Sequence, residues 1–249
     1  MNNHSLNTFL PILLLFSVFT AFAQEDSDDG LIHTQGGGAT ASATVDFHYL
    51  EDQFYLGLTY DYLAGKASNV VQHNLSRGIH IGFIRDLPIN TQRNLGFGIG
   101  LGYAYDLVYN NMIARKSGSN ITYEIVEHFR DINLSRNFFE THSVEIPLKF
   151  RFRPSTPYTH KFWRVYAGMR LSYIFSGKSL YTIDEVSTGF QNTDLTRNFQ
   201  LKPFAAFGYN ALNFFVQYNL TPLLKDAKTT DGTSLKSNIL QIGLLFYIL

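Results

Sequence analysis

Glu145, Lys149, Arg151 and Arg153 fall at alternate positions of one segment, and Arg164 and Arg170 share the parity of the next. Asp61, Asp106 and Lys202 occupy matching positions elsewhere in the chain. Cations and carboxylates arranged in this way suit either an anion-binding or conducting interior, or an internal network of ion pairs. Charges held in a confined space must be paired, so the ion-pair network is the expectation. His80 projects to the same side as Asp61 and Asp106. An Asp–His pair is the base of many hydrolases, but no G-x-S-x-G or H-E-x-x-H spacing accompanies it. The remaining histidines show no paired spacing of the kind that binds metal. Gly96, Gly98, Gly100 and Gly102 recur with period two and lack a following Gly-Lys-Ser/Thr, so they form no phosphate loop. The sequence therefore predicts no enzyme, no cofactor and no metal. Its candidate site is a polar network of Asp61, His80, Asp106, Glu145, Lys149, Arg151, Arg164 and Arg170.

These residues are positioned by two-residue alternations. Leu95, Phe97, Ile99, Leu101, Tyr103, Tyr105, Leu107 and Tyr109 lie on one face, with the glycines, Ala104 and Asp106 opposite. Side chains alternate across a strand, so this is one long strand with an apolar face and a small, partly polar one. The rhythm recurs around Phe54–Tyr62, Ile79–Phe83, Val144–Phe152, Val165–Phe175, Phe214–Leu220 and Leu240–Ile248, and Lys202–Tyr209 is a further strand, apolar on both faces, whose register the sequence leaves open. That makes eight strands, most near the ~10 residues with which a tilted strand crosses a bilayer. Thr44–His48 and Thr122–Phe129 are two further candidates, which would make ten.

A soluble barrel puts its apolar face inside and its polar face in water. Here the non-apolar face is rich in glycine, and charged residues are only 16% of the chain. A transmembrane barrel inverts the pattern, with the apolar face toward lipid and the small or charged face toward a narrow lumen. Tyr60, Tyr62, Tyr109, Tyr173 and Tyr247 near strand ends suit the aromatic girdle. Connections alternate between short (86–94, 154–161, 210–213) and long (64–77, 110–141, 176–198, 225–237), as periplasmic turns and extracellular loops do. A spanning sheet cannot leave edges in lipid, so the first and last strands must pair. The predicted fold is all-β: a closed antiparallel up-and-down transmembrane β-barrel of eight strands, with a lumen plugged by its own side chains. Lys plus Arg and Asp plus Glu balance at 20 each, which argues against a nucleic-acid partner. Cysteine is absent. The mean hydropathy of −0.06 hides the membrane character because apolar and polar residues alternate.

Phe9–Phe22 is too short for a spanning helix and fits a signal h-region, with Ala21-Phe22-Ala23 as the cleavage site. The expected organisation is a signal peptide at 1–23, a flexible acidic and glycine-rich segment at 24–52 and a barrel at 53–249. The loop 110–141 carries mixed charge with Phe138 and Phe139, which read as exposed, and suits either an adhesive or partner-binding role or a merely mobile surface loop.

Val144-Glu145-Ile146-Pro147-Leu148-Lys149-Phe150 is followed by a turn and Val165-Tyr166-Ala167-Gly168-Met169-Arg170. Together with Phe215–Asp226 and Leu240–Leu244, this pattern resembles the PorT-like outer-membrane β-barrel family over most of Gln53–Leu249. The resemblance implies a small exported barrel in the outer membrane of a Gram-negative bacterium, and it raises a secretion apparatus as a context. The expected function is a structural or interaction barrel acting through its long extracellular loops. The alternatives are a component of a protein-secretion apparatus and a narrow small-solute channel. Expected partners are the outer-membrane lipid bilayer and envelope or secretion-system proteins, around a monomeric barrel.

Overall fold

The computed structural model describes residues 51–248 except 68, 91–93, 119, 128–131, 153–162, 192, 230–231 and 233. Its strands are β1 (Glu51–Ala64), β2 (Arg77–Pro88), β3 (Leu95–Tyr109), β4 (Met112–Ser117), β5 (Asn120–Ile125), β6 (Leu134–Phe152), β7 (Trp163–Ile183), β8 (Val186–Gln191), β9 (Phe199–Tyr209), β10 (Leu212–Tyr218) and β11 (Asn238–Ile248). Eight of them form one antiparallel ring in the order β6-β3-β2-β1-β11-β10-β9-β7, closed by pairing of β6 with β7. The first and last strands pair from Phe54↔Ile248 to Ala64↔Asn238. The barrel has eight strands rather than ten, because Thr122–Ile125 lies in β5, which pairs with β4 in a separate hairpin. Thr44–His48 and the segments 1–23 and 24–50 lie outside the described residues.

The alternation in the sequence becomes an inside and an outside. On β1, Gln53, Tyr55, Thr59, Asp61 and Leu63 are buried, while Phe54, Leu56, Leu58, Tyr60 and Tyr62 are exposed. The outer wall continues around the ring through Ile79, Ile81, Ile99, Leu101, Val144, Ile146, Leu171, Phe207, Phe214 and Leu244, all large, apolar and exposed. Lys202–Tyr209 resolves with Lys202, Phe204 and Ala206 inward and Phe207 and Tyr209 outward. Tyr247, expected in the girdle, instead points inward and is buried against Tyr55 and Tyr166.

The inward glycines leave room for large neighbours. A Cβ at Gly102 would run into the Tyr55 ring, and one at Gly98 would meet Asp86 and the Lys149 stem. The wall is uneven in height, since β6 has 19 residues and β7 has 21. A register shift opposite His142 and Ser143 re-aims the upper part of this pair. β7 then turns through Asp184 and Glu185, both at positive φ (47° and 64°), into β8. Positive φ at both central residues is the two-residue hairpin turn whose twist matches that of the strands. The connection expected at 110–141 is therefore largely ordered strand, and Phe138 and Phe139 are buried rather than exposed.

Candidate functional site

The interior polar side chains fall into tiers. In the middle tier, Glu145 on β6 is fully buried and faces three other strands. Its Oε2 lies 3.0 Å from His80 Nδ1 and 3.3 Å from Arg170 Nη1, and its Oε1 accepts from Lys202 Nζ at 3.1 Å. Arg170 Nη1 is also 3.3 Å from His80 Nδ1, and its guanidinium carbon sits 5.1 Å from the Phe215 ring centre and 5.3 Å from that of Phe204. Toward the short turns, Asp86 accepts from Arg151 Nη1 at 2.8 Å and lies 3.3 Å from Lys149 Nζ. Lys149 Nζ stands over the Tyr166 and Tyr247 rings at 4.4 and 4.6 Å. Arg164 donates to the Tyr166 hydroxyl at 3.5 Å. Toward the long loops, Gln241 Nε2 donates to Asp61 at 3.0 Å and to Asp106 at 2.8 Å, and Thr59 donates to Asp61 at 2.7 Å. His80 Nε2 lies 3.7 Å from Asp106 and links this tier to Glu145.

All eight residues singled out in the sequence thus have buried side chains inside the barrel. They are brought together through partners that spacing alone does not mark. Asp86 falls by spacing into a turn, but β2 continues through it and carries it inward with the parity of His80. Three further steps of that alternation lead from His80 to Asp86. Gln53, Gln217 and Gln241 serve as neutral linkers, and Tyr55, Tyr166 and Tyr247 supply aromatic faces that accommodate cations without a carboxylate for each. The ring nitrogens of His80 face carboxylates and a guanidinium, and the side chain is fully buried.

Above the charged tiers lies an apolar layer built from all four long connections. Leu63 and Val70, Met112 and Tyr123, Leu195, and Leu223, Leu224 and Leu235 pack into one cluster with Phe139, Ile174 and Ile239 from the strands. Hydrogen bonds tie the connections to one another. Asn111 accepts from Val71 N at 2.8 Å and donates to Asn69 O and Val126 O at 2.9 Å each. Tyr123 N donates to Lys228 O at 3.2 Å, and Lys225 N donates to Leu195 O at 3.2 Å. Gln72 reaches back to strand β1, accepting from Leu63 N at 2.7 Å and donating to Asp61 O at 2.9 Å. Burial raises the Tyr123 phenol above its ordinary range and lowers the His73 imidazole below its own. No pattern in the sequence marks this layer, because its members come from segments with no shared period.

The chain matches the outer membrane protein beta-barrel domain family over residues 22–227. It belongs to that family. No curated protein matches it. Among solved structures it is similar to a major outer membrane protein from Thermus thermophilus, at 10% identity over 80% of this chain and 100% of that one, with a TM-score of 0.35. It is similar also to Ail, the attachment invasion locus protein of Yersinia pestis, at 12% identity over 78% and 97%, with a TM-score of 0.28. For an outer-membrane barrel, the exposed apolar wall is the lipid-facing surface, and the closed ring leaves no strand edge in the hydrocarbon. β11, which lies beyond the matched residues, is the strand that completes the ring.

Proposed function

We propose that this protein is an exported outer-membrane barrel with a plugged lumen, and that its role is structural and interactive, carried by the long connections on the extracellular side. The observation that carries the reading is the pair of layers stacked inside one barrel. Ion-paired side chains fill the interior around Glu145 and Asp86, and a hydrogen-bonded apolar layer of loops lies above them. A solute path would have to break both. Burying such charges is costly unless they are engaged, and the ion pairs of Glu145 and Asp86, with the ring contacts of Lys149 and Arg170, support the reading. Reconstitution into planar bilayers tests the reading: silence is expected, and steady unitary currents would replace it with the narrow-channel alternative. Export through a cleaved signal peptide belongs to the same proposal, and N-terminal sequencing of the membrane-extracted protein should begin at Gln24.

A role in a protein-secretion apparatus is the second reading. It is favoured by the Glu145-Ile146-Pro147-Leu148 strand and its hairpin partner, which resemble the PorT-like family. In-cell crosslinking of a tagged chain separates the two readings. A stoichiometric envelope partner supports the apparatus, and recovery of the barrel alone supports a stand-alone scaffold.

A further inference from the structure

The β7–β8 hairpin and the β4–β5 hairpin stand side by side above the barrel and bound a groove of about 700 Å³. Ala114 to Gly118 form one wall, and Tyr181, Thr188, Gly189 and Phe190 form the other. The walls come from β4, β7 and β8; β7, which carries Tyr181, pairs on both sides, whereas β4 pairs only with β5 and β8 only with β7. Among the described residues, neither makes a backbone hydrogen bond on its second side. Soluble and surface proteins guard such edges with lysine, proline, a bulge or a covering segment. β8 reads Val-Ser-Thr-Gly-Phe-Gln, with no charge and no proline, and nearly all of it is exposed. Because Ile183 and Val186 flank a two-residue turn, they form a hydrogen-bonded pair. The amides of Ser187, Gly189 and Gln191 therefore point away from β7, toward the free edge.

The charge of the groove selects an occupant. Its lining includes Arg115 and Lys116 and no carboxylate. Arg115 is held by Glu124 at 3.0 Å and lies over the Tyr181 ring at 5.9 Å, while Lys116 has no ion pair among the described residues. From this we infer that the groove is a docking site for an extended, acidic polypeptide segment of a partner protein. The segment adds a strand to the free edge of β8 and places a carboxylate against Lys116. Strand addition supplies affinity through main-chain hydrogen bonds, and the side-chain pocket supplies selectivity. The inference rests on the proposed interaction role and names the surface and the partner chemistry. It stands or falls separately from the conductance test.

The test is selection of a displayed library of random twelve-residue peptides on the full-length barrel held in lipid nanodiscs. Enriched peptides are expected to be acidic with alternating β-branched residues and to protect the amides of 186–191 from hydrogen exchange. Binding should fall at least ten-fold in Lys116→Glu and in Ser187→Pro. Ser187→Pro removes an outward amide while leaving the β7–β8 ladder intact, and gel mobility before and after boiling checks that both variants fold. Enriched peptides that bind Ser187→Pro as well as the parent, or no enrichment at all, would overturn the inference. So would self-association of the barrel through β8 in place of peptide capture, which would assign the edge to a second copy.

Discussion

Removing the Glu145 carboxylate leaves Arg170 and Lys202 facing each other inside the barrel, with His80 between them. Glu145 is 0% exposed, so bulk solvent does little to screen them. Breaking a buried pair from one side costs about 3–5 kcal/mol, because it strands the other charge. Glu145→Gln keeps the shape and loses the charge, so it should destabilise the barrel by about that amount in denaturant unfolding in detergent. Lys202→Met added to it removes one orphaned cation and should recover roughly half of the loss, because residues in one network do not add. If the two losses simply add, the pairing is not what stabilises this tier. At this scale the sequence is informative where parity is unbroken. Glu145, Lys149 and Arg151 can be placed on one face from spacing alone. Asp86 cannot be read as a partner of Lys149 and Arg151, because Leu87-Pro88 suggests a turn where the strand in fact continues.

The long connections make up the element scale, and Asn111 shows how they cohere. Its amide group bridges the β1–β2 connection to the segment after β5 through three hydrogen bonds. Asn111→Ala leaves those backbone groups without their partner, at a cost of about 1–3 kcal/mol for buried groups. The expected result is faster hydrogen exchange in 65–76 and 120–127, with the barrel strands unchanged. The same layer should loosen in acid. Burial holds the His73 imidazole below its ordinary range, so the folded layer favours the neutral ring. That preference is fully present above the unfolded pKa of about 6.5 and is lost as pH falls through the lower folded value. Protection in 65–76, measured relative to the intrinsic exchange rate at each pH, should therefore fall between pH 8 and pH 5, and His73→Phe should flatten the change. The strands themselves are legible because a period of two is written residue by residue, down to the alternating glycines of β3. The loop layer is not, because Val70, Met112, Leu195 and Leu224 meet only after the chain has crossed the membrane repeatedly.

At the scale of the whole molecule, the proposed plug would act as two barriers in series, and they are built from different physics. The upper one is apolar packing tied by backbone hydrogen bonds. The lower one is a set of charges and rings whose mutual engagement holds Lys149, Arg151 and Arg170 at 0–2% exposure. Barriers in series make a specific demand on variants. Replacing 225–236 by a short Gly-Ser turn takes Leu235 and Ala227 out of the upper layer and should leave a folded barrel that is still silent in planar bilayers. Truncating Lys149, Tyr166 and Tyr247 to alanine removes the plug of rings around the ammonium group and should also leave the barrel silent, because the loop layer is intact. Only the combined variant should pass current. Eight strands enclose a space that side chains fill unaided, so the current should be small even then. Conduction by either single variant would mean that one barrier is not closed in the bilayer, and the assignment of a plugged barrel would have to be withdrawn.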